Sequence, residues 1–136
     1  MIYFLDKNWK FRPQKQITSI KKLSNTSKML LANVPGTIHT DLLTTKIIDN
    51  PFYSDNETKL NWIHEQNWIY EINFDFPENF EKKKSLNLVF EGLDSITEIW
   101  LNNKKIAETD NMFLKYVFDI SQTIKSKNNK FNNHEK

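Results

Sequence analysis

LNLVFEGLDSITEIWLNNKKIAETDNMFLKYVF, residues 86–118, reads as a series of short strands separated by turns. Leu86, Leu88 and Phe90 alternate with Asn87, Val89 and Glu91, the period-two pattern of a strand with one covered face, and Gly92 then supplies the backbone freedom to leave that strand at a bend. Ile96 to Leu101 is rich in β-formers. Asn102 and Asn103 tolerate the positive φ of a two-residue hairpin turn, so the chain is expected to fold back through Lys105 and Ile106. After the polar run Glu108 to Asn111, Leu114, Tyr116, Phe118 and Ile120 alternate with Lys115, Val117, Asp119 and Ser121, which predicts a further strand.

Upstream, Trp68, Tyr70, Ile72, Phe74 and Phe76 alternate with Ile69, Glu71, Asn73 and Asp75, the strongest strand pattern in the chain. Burying an aromatic ring removes about 150–250 Å² from water, worth about 4–6 kcal/mol as an upper bound at roughly 25 cal/mol per Å², so the rings on this one face decide its register. Pro77 ends the strand, and residues 78–85 form a charged connection. Earlier still, Asn8 to Arg12 predicts an opening strand that Pro13 ends or confines to an edge, and residues 14–28 read as a long surface connection. Met29 to Ala32 is briefly apolar. Pro35 and Gly36 mark a turn, Thr37 is placed to cap a short helix with Asp41 in its first turn, and Ile38, Leu42, Leu43 and Ile47 form its apolar stripe. Residues 49–56 read as a loop holding Phe52 and Tyr53, and a second short helix is predicted from Thr58 to about Glu65.

These elements describe an all-β antiparallel sandwich with two short helices. Residues 1–125 are expected to form that domain, and residues 126–136, with Phe131 as their one apolar side chain, to form a polar tail that leaves the sandwich incomplete. A composition of 38% hydrophobic and 26% charged residues suits one globular domain, and a net charge of +2 argues against a nucleic-acid groove. The run Lys82 to Lys84 fits a solvated loop. Without cysteine there is no disulfide or thiolate site, which selects no compartment and leaves localisation unknown. Met1 to Lys7 lacks the basic start and small-residue cleavage site of a signal peptide, and no stretch nears the roughly 20 apolar residues of a membrane span.

The chemistry-bearing residues are sparse. No two carboxylates have the setting of a catalytic pair, and His39, His64 and His134 lack metal-ligand spacing, so the sequence predicts no catalytic residue, no metal and no cofactor. Trp9, Trp68 and Trp100 lie in strand patterns and favour a core position, whereas Trp62 stands between loop and strand. The candidate substrate-binding set is Trp62, Glu65, Trp68, Asp110 and Asn111, polar groups and rings of the kind that hold sugars; loop solvation and turn capping are the plainer reading of the polar members.

Five blocks then add to this reading: VPGTIHTDLL at 34–43, NPFYSDNE at 50–57, WIHEQNWIYE at 62–71, VFEGLD at 89–94 and TDNMF at 109–113. In order and spacing they resemble the amino-terminal domain of β-mannosidases of glycoside hydrolase family 2, over residues 34–120. The resemblance implies a jelly-roll, galactose-binding-like sandwich that packs against immunoglobulin-like and TIM-barrel domains. It also implies an enzyme that removes terminal β-linked mannose from oligosaccharides with retention, using two glutamates on the barrel. Neither glutamate matches a position of this sequence, and the family's Trp-Asp-Trp-Gly loop would follow Lys136. Two departures stand out: the polar stretch where the family continues into a strand after Ile124, and Asn102-Asn103 in place of Asn-Gly. The expected function is therefore that of a domain fragment of a β-mannosidase-like enzyme, cut short. A free-standing carbohydrate-binding module and a non-functional gene remnant are the alternatives. The expected partners are oligosaccharide and the downstream domains, with no nucleic acid and no membrane.

Overall fold

The structure, a computed structural model, describes residues 4–34, 38–48, 61–75, 86–91, 96–110, 115–125 and 127–135. The chain divides into two compact units, Asp6–Tyr70 and Glu71–Lys136 with Met1–Leu5. The first holds β1 (Lys10–Pro13), β2 (Leu30–Leu31), the helix α1 (Ile38–Thr44) and the opening of β3 (Trp68–Phe74), with strand order β2-β1-β3. β1 and β2 run antiparallel, with Phe11 opposite Leu30. Phe11 is the centre of this core: it is fully buried, and its ring lies 5.9 Å from Tyr70 and 6.1 Å from Trp68. Trp68, Ile69 and Tyr70 are all buried, so β3 begins with both faces covered, and the expected one-sided alternation sets in only from Glu71.

Two details of this unit correct the sequence reading. The connection 14–28 is not wholly surface: a 3-10 turn, Lys21–Leu23, buries Leu23, and the Ile17 amide donates to the Leu23 carbonyl at 2.9 Å. The stripe of α1 is narrower than expected, because Leu42 is fully buried while Leu43 is 38% exposed. The helix ends at Thr44, and beyond it Lys46 adopts φ 63°, with the Ile47 and Lys46 amides donating back to the carbonyls of Leu42 and Leu43 respectively. That pairing closes the last turn around a left-handed residue, a place usually held by glycine. The second helix is seen as a 3-10 turn, Asn61–Glu65.

The other unit contains the rest of β3 together with β4 (Asn87–Glu91), β5 (Thr97–Leu101), β6 (Lys104–Thr109), β7 (Lys115–Asp119) and β8 (Asn129–Glu135). The order is β3-β8-β5-β6 in one sheet and β4-β7 in the other. β5 pairs antiparallel with both β6 and β8, and β4 with β7. Thr97, Ile99 and Leu101 are buried, and Phe90 of β4 stacks on Phe131 of β8 at 5.2 Å, so the two sheets face each other as a sandwich. The β5–β6 hairpin turns at Asn102 and Asn103 as expected, with φ of 51° and 67°, values that the short asparagine side chain tolerates.

The reading of residues 126–136 as a polar tail is overturned, and with it the domain boundary at 125. Residues Asn129–Glu135 are β8, which lies between β3 and β5. The expectation failed because the inward side chains of β8 are Asn129, Phe131 and Asn133, and asparagine carries the same signature in a buried strand as in a loop. Asn129 is fully buried with its amide in use: Nδ2 donates to the Lys125 carbonyl at 2.6 Å, and Oδ1 accepts from the Lys125 amide at 2.7 Å and from Asn102 Nδ2 at 3.0 Å. Asn102 also donates to the Thr123 carbonyl and accepts from the Lys130 amide, each at 2.8 Å. The hairpin, the 120–125 turn and β8 are thus knit into one corner.

The turn and cap at 35–37, the loop 49–56, the start of the second helix at 58–60, Phe76 to residue 85 with its lysine run, the bend at Gly92, and residues 111–114 lie outside the described residues. No helix among the described residues is long and apolar enough to cross a membrane, which says nothing of a β-barrel.

Candidate functional site

In the first unit the Trp62 and Trp68 rings lie 6.2 Å apart at 56°. Trp68 is only 3% exposed, and its indole N–H donates to the Ile63 carbonyl at 3.2 Å. Packed between Phe11 and Trp62, it is a core residue, and its place among the binding candidates is corrected: neither ring face nor N–H is left for a sugar. Trp62 is half-buried and Glu65 is exposed at the end of the 3-10 turn. In the second unit Asp110 is exposed just after β6, while Asn111 lies outside the described residues. The structure therefore brings Trp62 and Trp68 into contact and leaves Glu65 and Asp110 at the surface.

Sequence reasoning gave Asp41 a minor part beside the helix N-terminus, and the structure gives it a larger one. The side chain is almost fully buried; its Oδ2 accepts from the Tyr70 hydroxyl at 2.8 Å and its Oδ1 from the Asn33 amide at 2.8 Å. Burial pushes the carboxyl above its ordinary range, and the bonds from Asn33 and Tyr70 pull against that shift. Asp41 therefore fastens α1 to β3 and to the segment after β2. It also explains two of the five sequence blocks physically, since VPGTIHTDLL and WIHEQNWIYE meet in the Asp41–Tyr70 bond.

A second polar arrangement was missed altogether, and it lies on the outward side of the β3-β8-β5-β6 sheet. Trp100, expected in the core, is half-buried on that side, because Ile99 and Leu101 take the inward positions of β5. Its ring lies 5.8 Å from His134 at 24°, and its Nε1 donates to Glu98 at 3.3 Å. Lys105 reaches Glu98 at 3.8 Å and Glu108 at 3.2 Å. One strand further on, Glu71 accepts from Asn132 Nδ2 at 3.0 Å and pairs with Lys130 at 3.2 Å. The available signal was the alternation within NKFNNHE, residues 129–135. Among the described residues no group of three or more His, Asp or Glu could hold a metal ion.

Residues 9–133 match the glycosyl hydrolase 2 galactose-binding domain-like family. The chain belongs to this family. The match runs into β8, so that strand is an integral part of the galactose-binding-like domain. Among curated relatives, the β-mannosidase of Bos taurus is 40% identical over 104 residues, covering 76% of this chain and 12% of the relative. The β-mannosidase B of Thermothelomyces thermophilus is 32% identical over 126 residues, covering 92% of this chain and 14% of the relative. The crystal structure of β-D-mannosidase from Dictyoglomus thermophilum superposes with a TM-score of 0.85 and 35% identity, over 96% of this chain and 15% of that one. The chain thus matches the amino-terminal domain of these glycoside hydrolase family 2 proteins and spans a small part of their length.

Proposed function

We propose that this galactose-binding-like domain serves a retaining β-mannosidase that acts on terminal β-linked mannose of oligosaccharides, and that the bond-breaking glutamates lie on a barrel domain outside the 136 residues. The observation that carries this reading is the 35% identity with a β-D-mannosidase across 96% of this chain, which is 15% of that enzyme. The domain's contribution is scaffolding: a packed sandwich against which immunoglobulin-like and barrel domains dock. Trp62, Glu65, Asp110 and Asn111 are its proposed contacts to oligosaccharide; Trp62 is half-buried, and Glu65 and Asp110 are exposed.

A domain exchange tests it. The 136 residues are substituted for the equivalent part of the Dictyoglomus enzyme, and hydrolysis of a chromogenic β-mannoside is measured beside the isolated chain. The exchange is expected to keep activity on β-mannoside, and the isolated chain to show no turnover above buffer. Turnover by the isolated chain that one carboxylate substitution abolishes overturns the proposal, as does a folded exchange protein with no β-mannosidase activity.

A further inference from the structure

We propose that Asn25 is an N-glycosylation site, its side-chain nitrogen accepting an oligosaccharide from a polyprenyl-diphosphate donor. The inference rests on the turn that follows the 3-10 turn Lys21–Leu23 and does not depend on the β-mannosidase reading. The acceptor pattern is asparagine, any residue but proline, then serine or threonine. The sequence holds it twice, as Asn25-Thr26-Ser27 and as Asn56-Glu57-Thr58, and the second lies outside the described residues. So short a pattern arises by chance in a chain this rich in asparagine, and geometry has to decide.

Asn25 is exposed, and its Oδ1 accepts from the Ser27 hydroxyl at 2.6 Å and from the Ser27 amide at 3.0 Å. The Lys28 amide closes the turn by donating to the Asn25 carbonyl at 3.1 Å. Among the described residues, Asn25 Nδ2 has no acceptor and is left to solvent. Asn102 and Asn129 show the opposite, amides spent on the β8 corner. Every bond of the Asn25 turn joins residues two or three apart, so the local sequence forms it without a tertiary partner, in the nascent chain as in the folded one. The turn is anchored on one side by buried Leu23 and by the Ser24 hydroxyl and amide, which both donate to the Lys21 carbonyl. On its other side is β2, the end strand of its sheet, where Leu31 is 72% exposed. A bulky hydrophilic group rooted five residues before Leu30 stands beside that edge and blunts it against pairing with another chain.

The transfer is a substitution without redox change. Nδ2 bonds to the anomeric carbon, that carbon's bond to the diphosphate oxygen breaks, the polyprenyl diphosphate leaves with the electron pair, and the nitrogen gives up one proton. Ser27 is a positioning residue, acting through the hydroxyl it holds against Asn25 Oδ1. The reaction belongs to the secretory lumen, so the proposal assigns the chain that route.

The test is mass spectrometry of the protein purified from its own cells, before and after a peptide N-glycosidase that converts glycan-bearing asparagine to aspartate. Position 25 is expected to read as aspartate only after treatment. In the same cells Asn25→Gln and Ser27→Ala should abolish modification at this position, and Ser27→Thr should retain it. Retention by threonine separates a required hydroxyl from a merely structural serine. The unsubstituted chain gives the primary reading, so the test stands even where a variant does not fold. The proposal is overturned if Asn25 is unmodified, whatever Asn56 carries. Aspartate at position 25 before treatment also overturns it, as spontaneous deamidation, and so does modification that persists in Ser27→Ala.

Discussion

β3 and β8 are both seven-residue strands, yet their inner faces are built from opposite chemistry. β3 opens on Trp68, Ile69 and Tyr70, all buried and mostly apolar; β8 buries Asn129, Phe131 and Asn133. β3 is driven inward by area. β8 is held inward by Phe131 and by the Asn129 amide, whose Oδ1 and Nδ2 find partners on Lys125 and Asn102. Asn133 lies two residues further along, and its Oδ1 is buried without a hydrogen-bond partner. The comparison teaches that a polar side chain in a sandwich is tolerated when its bonds are made inside and penalised when they are not.

The largest effects test whether the two strands share one standard of burial. Trp68→Ala should destabilise by about 3–5 kcal/mol, and Phe131→Ala by the same amount if β8 is as firmly packed as β3. Chemical denaturation of both variants measures this, and a loss under about 1 kcal/mol for Phe131→Ala breaks the comparison. Asn129→Ala comes next, at about 1–3 kcal/mol, because it strands the Lys125 amide and carbonyl. If hydrogen exchange at Lys125 and Lys130 is unchanged in that variant, the corner is not held by Asn129.

A pH series compares the buried polar group of the first unit with an exposed one. Asp41 has a carboxyl raised by burial, so its protonated form fits the fold better than its ionised form. Its contribution is full below the ordinary carboxylate range and is lost as pH rises through the raised folded value. Asp119 does the reverse: the Ser121 hydroxyl and amide hold its carboxyl low, so its contribution is present above the ordinary range and lost as pH falls through the lowered value. Melting profiles should therefore show Asp41→Asn losing the rise in stability that the parent gains on mild acidification, with Asp119→Asn altering only the more acidic limb. The same profile for Asp41→Asn and the parent rejects the assignment. The smallest effect is reserved for Asn133→Leu, which should change stability by less than about 1 kcal/mol, since the buried Oδ1 it removes has no hydrogen-bond partner to lose. A large loss would mean that the Asn133 amide makes an essential bond through water.

For the fold, the apolar strands were legible because period two survives wherever the inward residues are apolar, as in β4 and β7, whereas β5 was legible only as a β-rich run and its face was misassigned at Trp100. The β5–β6 turn was legible because few residue pairs tolerate two successive positive φ values. For the candidate residues, legibility stopped at type: Trp62 is half-buried, Glu65 and Asp110 are exposed, and Trp68 is core.

By itself, then, the sequence determined the β class, the hairpin at Asn102-Asn103 and the sequence blocks shared with glycoside hydrolase family 2. Tertiary structure alone decided three things. It made a strand of Asn129–Glu135, turned Asp41 into a buried anchor for Tyr70, and set Trp100 outward among paired charges. The reason is common to all three. The preference of an apolar side chain for the interior is its own property, whereas burial of an amide or carboxylate depends on partners that only the fold delivers: Asn102 lies 27 residues from Asn129 and Tyr70 lies 29 from Asp41.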